Sequence, residues 1–326
     1  MRKIYTTLFL VFPLFIWAQQ DAQFTQFMHN RIFYNPGVAG SGGAICLNAL
    51  HRIQWVGFDG APQTTNFNAN IPIAKIKGGI GVGLFNEQIG FFQETGGALS
   101  YAYQLQLPGG TLGLGLGATF MNKSVNNAAW IAPDDFGGGM GSGFLDPSIA
   151  AGDASGFLVD MQFGAYYQAT NFWVGLSSFK LLQMNSEVDS RVRDYLPAGG
   201  GVSTTLDNSR HFYLMGGYNY QLPSSNWSLQ PSALVKINNS VTADVNLAAV
   251  YNNRLWGGVT YRLQDAVAVN LGYQITPELK AGYSYDVTTS ELSAGSGGSH
   301  EFMVQYCFKI EIPPKVPGSY KNPRFL

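Results

Sequence analysis

Charge is what this chain has least of. Lys, Arg, Asp and Glu make up 12% of its 326 residues, about half the share of an ordinary soluble domain. Long apolar runs are missing too. Beyond residue 18 no stretch reaches the ~18 apolar residues of a spanning helix, which excludes a helical membrane protein. There is no basic excess. Without Arg2 and Lys3, 17 of the 19 Lys and Arg remain against 20 Asp and Glu, a formal charge of −3. That excludes a nucleic-acid surface. The four histidines (His29, His51, His211, His300) are scattered, and none has a partner at metal-ligand spacing.

Catalytic signatures are equally absent. Gly113-Leu-Gly115-Leu-Gly117 has the glycines of a phosphate loop but not the helix that must follow, since the alternation runs on through Phe120. Gly141-Ser142-Gly143 lacks the strand–turn–helix setting of a nucleophile elbow. Asp134, Asp135, Asp146 and Asp153 lack the spacing of a calcium loop and read as solvated carboxylates. No catalytic, metal or cofactor-binding residue is assigned, and the expectation is a non-enzyme.

What is present is glycine (40 residues), aromatics (22 Phe, 17 Tyr, 6 Trp) and a two-residue rhythm. Leu112, Leu114, Leu116, Ala118 and Phe120 alternate with small or polar residues, as a strand with one apolar face requires. In the next example, Phe67, Ala69, Ile71 and Ile73 oppose Asn66, Asn68 and Asn70. Similar stretches recur from 44–53 to 300–310, about fourteen in all, with no composition break. An even count of lipid-out, lumen-in strands predicts an all-β, transmembrane antiparallel β-barrel of the outer membrane, spanning 44–310 as one domain. Aromatic girdles account for the Tyr and Phe content.

The ends set the compartment. Arg2 and Lys3, an apolar stretch from Leu8 to Trp17 and a small residue at Ala18 read as a secretory signal peptide over 1–18. Residues 200–206 are left out of the strand count, because an odd total would separate the termini. With the amino terminus periplasmic, the long connections (54–63, 86–97, 122–156, 181–210, 288–299) face outward and the tight turns face the periplasm.

Three further expectations concern the interior and the tail. Gly79, Gly81, Gly83, Ala98, Ser100, Ala102, Gly113, Gly115 and Gly117 make a small-residue patch on three inward faces. Glycine in a strand often marks close approach of another backbone, so the irregular segment 19–43 is expected to fold into the lumen against it. Relief of crowding in a curved sheet is the other reading. Cys46 and Cys307 share the inward phase near the periplasmic ends of the first and last strands. A disulfide needs Cα atoms within ~7 Å. Because strand shear is unknown, two separate buried thiols are expected and the bond stays open. Residues 311–326 form a proline-rich periplasmic tail, extended in character. Lys315, Lys321 and Arg324 outnumber Glu311, and Phe325-Leu326 gives an apolar tip suited to docking a partner; a frayed terminus is the plain alternative.

Several segments carry a resemblance. Gln20-Asp21-Ala22-Gln23-Phe24-Thr25-Gln26-Phe27-Met28, Asn35-Pro36-Gly37-Val38-Ala39-Gly40 and Gly298-Ser299-His300-Glu301 are similar to the PorP/SprF family. The most specific match is the run from His51 to Pro62, His-Arg-Ile-Gln-Trp-Val-Gly-Phe-Asp-Gly-Ala-Pro. Ala22 replaces the family's usual proline, and Gly37-Val38 its frequent Ala-Tyr. The resemblance implies a non-enzymatic outer-membrane component of type IX secretion or gliding machinery. Its partners would be a secreted cargo or adhesin, periplasmic machine components, or both, besides outer-membrane lipids. It points to Arg52, Trp55, Phe58 and Asp59 as the structured part of the first outer loop, either for contact with a partner or with Arg52 paired to Asp59. A passive channel or hydrophobic-ligand transporter is the other reading, although it predicts a charged constriction.

Overall fold

The computed structural model describes residues 22–125, 154–183, 186–190, 203–206, 209–238 and 240–309. The signal segment, the acidic loop holding Asp134, Asp135, Asp146 and Asp153, the Gly141–Gly143 motif and the tail with Lys321, Arg324 and Phe325 lie outside the described residues.

Fourteen antiparallel strands form a closed wall. They are β1 (Ile45–Ile53), β2 (Gln63–Ile73), β3 (Gly78–Ile89), β4 (Phe92–Leu107), β5 (Gly110–Val125), β6 (Ala154–Ala169) and β7 (Phe172–Phe179). The second half comprises β8 (His211–Tyr218, continued by Tyr220–Gln221), β9 (Trp227–Ile237), β10 (Val241–Tyr251), β11 (Leu255–Arg262), β12 (Ala266–Gln274), β13 (Leu279–Thr288) and β14 (Ser299–Phe308). Each strand pairs with the next, and β14 returns to β1 with Ile45 opposite Phe308. Closure of β1 on β14 leaves the fourteen-strand wall, among the described residues, without an open edge toward hydrocarbon, which would not tolerate one. It also puts the start of β1 and the end of β14 at the same end of the barrel.

The wall is inverted relative to a soluble protein. In β4, Leu99, Tyr101 and Tyr103 are exposed while Ser100 and Ala102 are buried. In β12, Val267, Val269, Leu271 and Tyr273 are exposed while Ala266, Ala268 and Asn270 are buried. An apolar outside with a polar or small inside is the arrangement a bilayer selects. No described helix is long and apolar enough to cross a membrane.

Two expectations about the strands change. Residues 86–97 are not a long loop: β3 and β4 continue to a tight turn, with Gly90 at φ +57. Asn86 opposes Thr95, Glu87 opposes Glu94, and Lys123 of β5 pairs with Glu94 at 3.1 Å. The loss of apolar alternation there marks the level where the sheet leaves the lipid, not the end of backbone pairing. Within 200–206, Ser203–Leu206 does form a short strand, paired with Ser186–Ser190. That hairpin meets only the outer end of β6 and adds nothing to the wall.

The cysteines also differ from expectation. Cys46 and Cys307 are directly opposed in the β1–β14 ladder, with Cα atoms 4.1 Å apart, and they form a disulfide. The barrel shear, invisible in the sequence, resolves to direct opposition, so two separate thiols are replaced by one bond.

Candidate functional site

The segment from Ala22 to Gly40 is built of short turns. Phe27–His29 and Pro36–Val38 are 3₁₀ turns, and Arg31–Tyr34 is a single helical turn. Asn35 caps Pro36–Val38, its side chain accepting from Gly37 N at 2.8 Å. None of these pieces is long enough to be stable alone. Their stability comes from side chains of the wall.

Phe24, Phe27 and Tyr34 join Leu50, Tyr213, Met215, Leu234, Val250, Trp256 and Met303 in one buried apolar cluster. Phe24 N–H donates to the Tyr34 hydroxyl at 3.2 Å, and burial raises that phenol well above its ordinary range. Asn30 exchanges hydrogen bonds with Asn66 (3.0 Å) and Asn68 (2.6 Å), the polar inward row of β2. The Asn35 amide donates to the backbone oxygens of Ala165 (3.0 Å) and Leu176 (3.2 Å). Gln104 donates to Ala39 O at 2.7 Å, and Gly40 N to Asn70 Oδ1 at 2.6 Å.

The small-residue patch lies under this segment. A Cβ added at Gly115 would collide with the carbonyl carbon of Pro36 and the nitrogen of Gly37. One at Gly113 would strike the Gly37 carbonyl, and one at Gly79 would strike the Gly40 backbone. Backbone approaches backbone here, which only glycine permits.

On the opposite side an ionic cluster meets Thr25. Arg52 donates to Asp286 (2.7 Å), to Glu301 (3.2 Å) and to the Thr25 hydroxyl (2.9 Å). That hydroxyl donates to Asp286 at 2.7 Å, while Thr25 N and Gln26 N donate to the two Glu301 oxygens at 2.7 and 2.8 Å. Arg262 reaches Asp244 (3.0 Å), Asp286 (3.3 Å) and Thr25 Oγ1 (3.2 Å), and Lys236 pairs with Asp244 at 2.8 Å. Three cations balance three carboxylates, with Asp265 adding a partly exposed fourth acid at the rim. Each of these charges would be costly alone in a low dielectric, and the mutual pairing offsets that cost.

The residues singled out from the sequence fall in different places. Arg52 lies in β1 with 1% exposure and pairs with Asp286 and Glu301, so the alternative of an Arg52–Asp59 pair does not hold. Arg52 shares the inward phase of β1 with Asn48 and Leu50, which keeps its charge out of the lipid. Trp55, the second residue of the loop, stands at φ +46 with its backbone N–H donating to Ser299 Oγ at 3.1 Å. Val56 N donates to Gly298 O at 2.8 Å, and Gly90 N to Gly60 O at 2.8 Å. Loop 54–62 is thereby tied to both the β3–β4 turn and the β13–β14 connection. Phe58 is 40% exposed over Gly295, and Asp59 is exposed. Asp244, Arg262 and Asp286 lie outside every segment that carries the resemblance, and Glu301 enters only as the last residue of one. The signal that would have found them is a charge on the inward phase of an otherwise apolar strand.

Comparison with known proteins places the chain among secretion components. A family model described as type IX secretion system membrane protein PorP/SprF matches residues 16–306. No curated protein matches. Among solved structures, the outer membrane protein Omp33 of Acinetobacter baumannii is 10% identical, covering 82% of this chain and 100% of its own, with a TM-score of 0.43. The translocator domain of autotransporter NalP from Neisseria meningitidis is 12% identical over 87% and 95%, with a TM-score of 0.42. BamA from Haemophilus ducreyi, lacking POTRA domains 1-3, is 10% identical over 81% and 70%, with a TM-score of 0.43.

Proposed function

Because the chain belongs to the PorP/SprF family of type IX secretion membrane proteins, we propose that this outer-membrane barrel is a non-enzymatic binding component of that machinery. It holds a secreted cargo or adhesin at its outer loops, periplasmic machine components at its other end, or both. The observation that carries the reading is the amino-terminal segment hydrogen-bonded across the wall, from Thr25 on Glu301 to Asn35 on Ala165. In this reading residues 19–43 are a resident plug. A barrel whose bore is occupied by its own chain is a platform more readily than a pore.

The outer contact surface is the braced loop carrying Trp55, Phe58 and Asp59, since an exposed aromatic such as Phe58 on a fixed backbone makes an efficient anchor. The inner one is the basic, apolar-tipped tail with Lys321, Arg324 and Phe325.

Purification in mild detergent followed by mass spectrometry tests the proposal. The expected result is retained secretion-machine or cargo proteins, with loss of an outer partner on Phe58→Ala. Steady open conductance in a planar bilayer, with no retained protein, would overturn it in favour of a passive channel or hydrophobic-ligand transporter.

A further inference from the structure

The interior charges are distributed unevenly. Around Thr25 they cancel. At the end of the barrel where β1 starts and β14 ends, they do not. There a cleft of about 320 Å³ opens between the segment and the wall, lined by Arg31, Lys280 and His29, two indoles and many asparagine and glutamine side chains. No Asp or Glu lines it.

Arg31 donates only to neutral oxygens, Met28 O at 3.0 Å and the Tyr166 hydroxyl at 2.6 Å. Lys280 Nζ lies 3.2 Å from His29 Nδ1. Among the described residues neither cation meets a carboxylate. The cations lie over aromatic faces instead, Arg31 at 4.8 Å from the Trp173 ring and Lys280 at 5.7 Å from the Trp256 ring. Two further donors at the cleft, the Trp256 indole N–H and the Ser232 hydroxyl, and one acceptor, Asn246 Oδ1, are buried with no hydrogen-bond partner among the described residues. Two uncompensated cations and two idle donors in one sheltered cleft are arranged for an anion.

We propose that this cleft binds an acidic peptide segment of a partner, with its carboxylates on Arg31 and Lys280. The wall chemistry selects among anions. Asparagine and glutamine side chains both donate and accept, matching a peptide backbone. A sugar would need a free aromatic face, yet Trp173 already packs against Tyr166 and Trp256 against His29. The chain's own tail is excluded by charge, since Lys315, Lys321 and Arg324 outnumber Glu311.

The proposal rests on the partner-binding reading for the owner of the peptide. Its test uses a synthetic ligand, so it can fail while co-purification succeeds, and the reverse. Purified full-length barrel in detergent is titrated with pentaglutamate, pentaglutamine and inorganic phosphate, reading tryptophan fluorescence. Pentaglutamate is expected to bind, weakening steadily as salt rises. Arg31→Gln and Lys280→Gln should each lower affinity about tenfold or more, while Lys280→Arg retains most of it. Equal binding of pentaglutamine, or of phosphate, overturns the peptide assignment. So does unchanged pentaglutamate affinity in Lys280→Gln, or salt-independent binding by the unmodified protein.

Discussion

Arg52 and Asp286 meet at 2.7 Å across a sequence separation of 234, both side chains 1% exposed. They join the first strand to the penultimate one, and the Thr25 hydroxyl bonds to both. The wall's closure and the seating of the amino-terminal segment therefore share one cluster. Arg52→Met leaves Asp286 and Glu301 short of a counter-charge. The expected cost is about 3–5 kcal/mol, the usual penalty for breaking a buried pair from one side. Denaturant unfolding in detergent measures it, and an unchanged midpoint would contradict the cluster's role.

Gly115 tests the opposite contact. Leucine there would occupy the space of the Pro36 carbonyl and Gly37 nitrogen. Gly115→Leu should release the segment while the barrel stays folded, so that trypsin cuts after Arg31 many times faster. Unaltered protection in a folded barrel would count against close backbone contact.

His29 gives the docking a pH dependence. Burial, then Lys280, then Arg31 push its imidazole well below the ordinary value. A depressed folded value means stability is complete above about pH 6.5, where the released imidazole is also neutral, and is lost as pH falls below it. Hydrogen exchange of residues 22–40, corrected for intrinsic rates, should accelerate from pH 7.5 to pH 5. His29→Gln should flatten that response.

The Cys46–Cys307 bond should form in an oxidising compartment. Mass spectrometry under non-reducing conditions is expected to find the linked peptides. Cys46→Ser should lower stability by about 2–4 kcal/mol, the common effect of removing a cross-link that closes a long loop. A free-thiol signal from the untreated protein would contradict the bond.

The wall was legible because lipid imposes a period of two on every strand, as Leu99 to Leu105 and Phe67 to Ile73 display. It became illegible where β3 and β4 rise above the apolar belt, since Glu87 and Glu94 keep the ladder without keeping the pattern. Contacts across the barrel were harder. Cys46 and Cys307 carry no mark of their pairing until shear is known. Arg52 sits in a motif that reads as a loop, yet its partners, Asp286 and Glu301, are lone charges in distant strands. Inward phase was the available clue, and it says that a charge is hidden without saying which charge it meets. The glycine rows were clear as a gap, but the close fit of Pro36 and Gly37 depends on where short turns place them.

The cystine fastens the barrel into a hoop, with the chain entering the first strand and leaving the last beside one clasp. A pull on the tail that follows Phe308 is stopped at the clasp, before it can peel the last strand from the first. Tension applied at that end is handed to the whole ring at once.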